Sequence, residues 1–169
     1  MPSEPVRAFL RHTLATIAYR GAKALRDAPP GFAETRAGDP ATGSRRAVEI
    51  LAHTADLMDW TAALTEGAPD WRSAWRSRPA GTWDEEVARF HATLQRADAA
   101  LQSASTPTIP LERLFQGPIA DALTHVGQLA LLRRLAGSPI HGEVMILSDV
   151  AAGRVGPEQS IPTREFERR

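Results

Sequence analysis

The chain has 169 residues, with 20 lysines and arginines set against 20 acidic residues and no cysteine. The charge balance removes the positive field that draws a protein to nucleic acid or to an anionic membrane surface. The lack of thiols excludes disulfides, cysteine nucleophiles, iron-sulfur clusters and thiolate zinc sites, so any metal must be held by nitrogen and oxygen. One domain suffices for this length, and no apolar run approaches the roughly 20 residues of a membrane span.

The apolar positions Val6, Phe9, Leu10, Leu14, Ile17, Ala18, Ala24 and Leu25 follow steps of three and four and predict a first helix from Val6 to Leu25. Pro29-Pro30-Gly31 ends it, and a long loop poor in packing residues runs to Ser44. A second helix is expected from about Ser44, its plausible cap, to Glu66, with Val48, Ile50, Leu51, Leu57, Met58, Trp60 and Leu64 on one side. Trp71-Arg72-Ser73-Ala74-Trp75 predicts one or two turns covering an end of the fold. Thr82 with Glu85 makes a capping box for a third helix, whose stripe runs Trp83, Val87, Phe90, Leu94, Ala97 and Leu101. After the break Thr106-Pro107-Thr108-Ile109-Pro110, Pro118 and Gly137 bracket a fourth helix to Ala136. That helix is apolar nearly all round until Arg133 and Arg134, and so is expected to be central and buried, with the two arginines in solvent. The reading is all-α, a four-helix bundle over residues 1–155 with short extra helical turns, and a loosely held charged tail over 156–169. Arg7, Arg11, His12 and Arg20 interrupt the apolar residues near the start, and a cytoplasmic location is expected.

Three side chains carry the chemistry. His53 lies between Ile50 and Leu57 and should point to the core, while Asp121 and His125 are one turn apart on one face of the fourth helix. If the four helices alternate up and down, the second and fourth start at the same end, and the two histidines lie within about one turn in height at ~1.5 Å per residue. Two imidazoles and a carboxylate would then hold one side of a divalent ion and leave positions for water or substrate. The spacing is also met by a core histidine bonded to a carbonyl and by a carboxylate attracted to a helix N-terminus. Asp56, one turn after His53, either orients that imidazole or is a solvated charge. His12, His91 and His141 are expected to be partly exposed and are left out of the ligand set. Trp60, Trp71, Trp75 and Trp83 are packing residues, of which one or two line a pocket over the site.

The segment His125-Val126-Gly127-Gln128-Leu129-Ala130-Leu131-Leu132-Arg133-Arg134-Leu135-Ala136-Gly137 resembles the closing-helix motif of the DinB-like (DinB/YfiT) proteins. Glu49-Ile50-Leu51-Ala52-His53-Thr54-Ala55-Asp56-Leu57 resembles the same family's first-histidine motif. The resemblance implies a four-helix bundle, often dimeric, in which three histidines bind a divalent ion, with His53 and His125 as the first and third ligands. Asp121 stands where the family has its second histidine, which opens the choice of ion to nickel, zinc, manganese or iron. The function implied is a metal-dependent hydrolase or thiol-dependent transferase acting on a small molecule through metal-activated water or thiol. The alternatives are a non-enzymatic, stress-linked bundle that binds a small molecule, and a dimeric interaction scaffold. Neither nucleic acid nor membrane is an expected partner, and a homodimer is.

Overall fold

The computed structural model describes residues 3–68, 70–103 and 109–166, with side chains from Glu4. Pro69, the predicted break at Thr106-Pro107-Thr108 and the last three residues of the tail lie outside them. The described chain is helical, with a single isolated bridge between Glu143 and Glu165. Four long helices, α1 (Ser3–Leu25), α2 (Ala47–Thr65), α4 (Trp83–Gln102) and α6 (Ala120–Leu135), are joined by the single turns α3 (Trp71–Ala74) and α5 (Leu111–Leu114) and by short 3-10 turns.

α2 packs on α4 and α6, and so does α1, so that the four enclose a core of Leu14 and Ile17, Leu51 and Met58, Phe90 and Leu94, and Val126 and Leu129. Their directions differ from the alternation expected from sequence. Arg89 bonds the Ala52 carbonyl and Arg96 bonds Asp59, so both partners advance by seven residues and α2 runs parallel to α4. Arg7 reaches Leu101 and Arg11 reaches Asp98, which makes α1 antiparallel to α4. Phe9 meets Phe115 and Arg133 meets Ala24, so α1 and α6 point the same way. α2 and α6 therefore run in opposite directions. α1 and α2 are antiparallel as expected, and the alternation breaks at the 17 residues between Thr65 and Trp83, a connection long enough to let α4 lie parallel to α2.

Helix ends follow their chemistry, with two shifts. Thr82 and Glu85 exchange the expected capping bonds at 3.4 and 2.8 Å. α2 starts at Ala47 rather than Ser44, because Ser44 turns its hydroxyl back to the Ala37 carbonyl and Glu49 accepts from the Arg46 N–H at 2.7 Å. α6 becomes regular only at Ala120. Pro118 brings no N–H and crowds the preceding turn, and the chain absorbs this in a wide π turn over Phe115–Ile119, with Gly117 outside helical geometry at φ −91°, ψ −106°. At the far end Gly137 takes φ +72° and closes a Schellman motif, Ser138 donating to Arg133 at 2.9 Å and Gly137 to Arg134 at 3.2 Å.

The central helix is α2, with 14 of 19 residues buried against 6 of 16 in α6. Its buried threonines 54, 61 and 65 return their hydroxyls to the carbonyl one turn earlier at 2.7–2.8 Å, which removes the cost of burying them. On α6, Arg134 is exposed as expected, but Leu131 and Leu135 are exposed too whereas Arg133 is buried, against expectation. The Arg133 guanidinium donates to the carbonyls of Ala24, Arg26 and Asp27 at 2.7–3.0 Å, and to Ser138 through both its carbonyl and its hydroxyl at 2.9 Å. It thus satisfies a terminal carbonyl of α1 and two of the turn that follows, and sits at the negative end of that helix dipole. Arg7 treats α4 likewise, donating to Leu101 and Ser103 at 3.1 and 3.3 Å.

Beyond Gly156 the charged segment returns to α1. Glu165 accepts from Lys23 at 3.0 Å, Phe166 donates to Gly142 at 2.8 Å, and Glu143 gathers Tyr19, Lys23 and Ser148 at 2.6–2.7 Å.

Replacing Arg133 by lysine leaves one compact donor group for four carbonyls. Arg133→Lys is expected to lower unfolding stability by about 2 kcal/mol and Arg133→Ala by about 3 kcal/mol in urea melts. Wild-type midpoints in both variants would show that those carbonyls have other partners.

Candidate metal centre

α2 and α6 bring the three predicted ligands together: His53, Asp121 and His125 offer donor atoms that all lie within 4.8 Å of one another. His53 Nε2 faces Asp121 Oδ2 at 3.8 Å, His125 Nδ1 lies 3.2 Å from Asp121 Oδ1, and the two imidazole centroids are 4.8 Å apart at 63°. They meet for a reason other than the equal heights expected, because the helices are antiparallel. Asp121 sits in the first turn of α6 and His125 one turn on, and from there the helix descends past His53 toward the start of α2, where Leu132 shares a cavity wall with Ile50.

The strongest feature of the cluster is a hydrogen bond. His125 Nδ1 lies 2.8 Å from the Asp121 backbone carbonyl, which can only accept, so Nδ1 carries the proton and the neutral ring keeps its lone pair on Nε2. The same carbonyl accepts from Thr124 Oγ1 at 2.7 Å. His53 is not in the core centre as expected. It stands in the α2–α6 seam with its side chain 21% exposed, under the edge of Trp75 at 5.7 Å. Burial lowers its pKa, and the neighbouring His125 and Arg45 lower it further, so at neutral pH it is uncharged and able to coordinate. The Asp121 side chain is the most open of the three at 46%, His125 the most enclosed at 10%.

The donor set fits a divalent ion. Donors bound at ~2.0–2.2 Å stand about 3–3.5 Å apart on a tetrahedral or octahedral ion, so donor groups spread over as much as 4.8 Å must draw together by more than about 1 Å to share one. Two neutral nitrogens and one carboxylate suit zinc, nickel, manganese or iron and leave coordination positions unfilled by protein.

Asp56 does not reach His53 by hydrogen bond. It is buried and accepts from Arg89 Nη1 at 2.7 Å, and burial raises its pKa against the pull of that guanidinium. Arg89 also donates to Ala52 O at 2.6 Å and to Glu86 at 2.8 Å, fixing the turn of α2 that carries His53. Glu86, fully buried, further accepts from Arg78 at 3.1 Å and from the Gly81 N–H at 2.9 Å, so it ties down the loop after Trp75 that walls the His53 side of the site. Sequence reasoning missed Glu86, although its i,i+3 spacing to Arg89 was a visible signal. The indoles do not cover an end of the fold. Trp75 packs edge-on against Trp60 at 5.1 Å, and Trp60 Nε1 donates to the Trp71 carbonyl at 3.0 Å, so α3 lies along α2 beside the site. Trp83 instead meets Phe32 at 5.3 Å.

Of the remaining histidines, His12 is exposed and His141 half-buried, 3.8 Å from Glu165. His91 departs from expectation: it is 8% exposed, and its Nδ1 is buried without a hydrogen-bond partner. No family model, curated protein or solved structure matches the chain.

Burial lowers the His91 pKa, against the pull of the Val155 backbone and Glu158. The unfolded chain takes up its proton near pH 6.5 while the folded chain resists, so this contribution to stability is complete above pH 6.5 and is lost as the pH falls below it. Melts between pH 7.5 and 5 should show a steep fall for the parent and a shallower one for His91→Gln. Parallel curves would show that folding leaves the His91 proton equilibrium untouched.

Proposed function

We propose that this chain is a four-helix bundle of the DinB-like type that holds a divalent cation through His53, Asp121 and His125 and acts as a hydrolase or thiol-dependent transferase on a small molecule. The observation that carries the reading is the convergence of three donor groups from α2 and α6, with the His125 ring locked so that Nε2 is its free nitrogen. A divalent ion bound there would lower the pKa of a bound water or thiol and polarise a carbonyl. The chain's own residues supply the rest. His125 is oriented by the Asp121 carbonyl, His53 is kept neutral by burial, and Trp75 and the Glu86-anchored loop exclude water from one side.

Asp121 in place of a third histidine adds one negative charge, which favours harder ions than an all-imidazole set. A homodimer in the cytoplasm belongs to the same proposal. A second reading, a small-molecule binding bundle without turnover, is favoured by the cavities of ≈ 350 and ≈ 340 Å³ that flank the cluster.

Metal content decides first. Protein purified without an affinity tag should carry, or take up, close to one equivalent of zinc, nickel, manganese or iron, and His53→Ala and His125→Ala should not. At a hundredfold excess over Kd the ion should stabilise the parent by about 2.7 kcal/mol and leave both variants unmoved. Equal and negligible uptake in all three proteins overturns the metal reading. With uptake shown, chelator-sensitive turnover of amides, esters or thiol–epoxide pairs supports the enzyme, and its absence across that panel favours the binding bundle.

A further inference from the structure

The cluster stands between two cavities. One, of ≈ 350 Å³, reaches His125 and has an apolar wall of Ile50, Leu131 and Leu132. The other, of ≈ 340 Å³, reaches His53 and is lined largely by polar groups. A single side chain, Arg45, borders both.

Among the described residues Arg45, unlike the arginines around it, forms no ion pair. Arg46 is paired with Glu34 and Glu49, Arg78 with Glu86, and Arg89 with Asp56 and Glu86. Every carboxylate that lines the His53 cavity is thereby taken, Glu49 by Arg46 and Asp56 by Arg89. Asp121 is engaged with the two imidazoles. Among the described residues no carboxylate pairs with Arg45 and no carbonyl accepts from it. A divalent ion on one carboxylate and two neutral imidazoles would keep a net positive charge, and a guanidinium at the mouth of the same site adds another. Two like charges bordering the same cavities together favour a negative group between them.

We propose that the site takes a small amphipathic anion, its negative group on Arg45 beside the His53–Asp121–His125 cluster and its apolar end along Ile50, Leu131 and Leu132. This names the substrate class for the metal-dependent reading and rests on it. The guanidinium fork suits a carboxylate or a phosphate oxygen pair equally, and the apolar wall selects ligands with a short hydrocarbon or aromatic body over bare anions.

The test is calorimetric titration of the full chain, loaded with zinc, with hexanoate, hexyl phosphate and hexanamide. At least one anion should bind about tenfold tighter than the neutral amide, the better of the two identifying the head group. In Arg45→Gln, an exposed position whose loss leaves no buried group unpaired, the anion should fall to the affinity of the amide while zinc uptake stays at the parent value. Leu131→Asn, also exposed, should abolish the preference for hexanoate over acetate. Equal binding of anion and amide, no binding of either anion, or anion affinity unchanged in Arg45→Gln each overturns the proposal. The last of these would assign the negative group to the ion alone. Failure of the underlying reading is separate: it shows as absent zinc uptake in the parent, and the same titrations on metal-free protein then decide the role of Arg45 by itself.

Discussion

An imidazole can bind a cation only through a nitrogen that has no proton, and the side chain alone does not determine which nitrogen that is. In this protein the backbone does. The Asp121 carbonyl, one turn before His125, accepts from Nδ1 at 2.8 Å and leaves Nε2 as the free donor atom. Because Asp121 also supplies the carboxylate, one helical turn provides two of the three donor groups and orients one of them. His53 has only to be brought to that turn from another helix.

Bringing it there depends on charged groups well away from the cluster. Arg133 closes the C-terminal end of α1 and fixes the height of α6 against α1, while Arg89, between Asp56, Glu86 and the Ala52 carbonyl, fixes α2 against α4. A slip of one residue along either helix moves a side chain by about 1.5 Å and 100° and would part His53 from Asp121. The Arg133 and Arg89 guanidiniums are therefore positioning elements for the site as much as contributions to stability, and they add to the register set by the packed apolar core.

What the sequence disclosed was local. Periods of three and four located all four long helices, Thr82 with Glu85 and Gly137 marked two of their ends, and the spacing of Asp121 and His125 identified one face of the site. What it concealed depended on partners distant in sequence. The parallel course of α2 and α4 follows a connection between Thr65 and Trp83 that carries no directional signal, so the meeting of His53 and His125 was expected from an incorrect alternation of helices. Arg133 seemed bound for solvent because its acceptors are carbonyls, which leave no trace in residue identity. His91 was misjudged because its enclosure comes from the segment around Val155, which carries no helical period. Arg45 drew no notice, since the absence of an ion pair among the described residues is visible only once the neighbouring carboxylates are seen to be occupied.

The central claim is that atoms of His53, Asp121 and His125 share one cation. Diffraction from crystals grown with zinc, recorded on both sides of the metal absorption edge, tests it most directly. The account predicts one anomalous peak in the seam of α2 and α6, at about 2.0–2.2 Å from two imidazole nitrogens and a carboxylate oxygen of these residues. A peak bound elsewhere, or a seam without one while the two rings stay as they are, would contradict it.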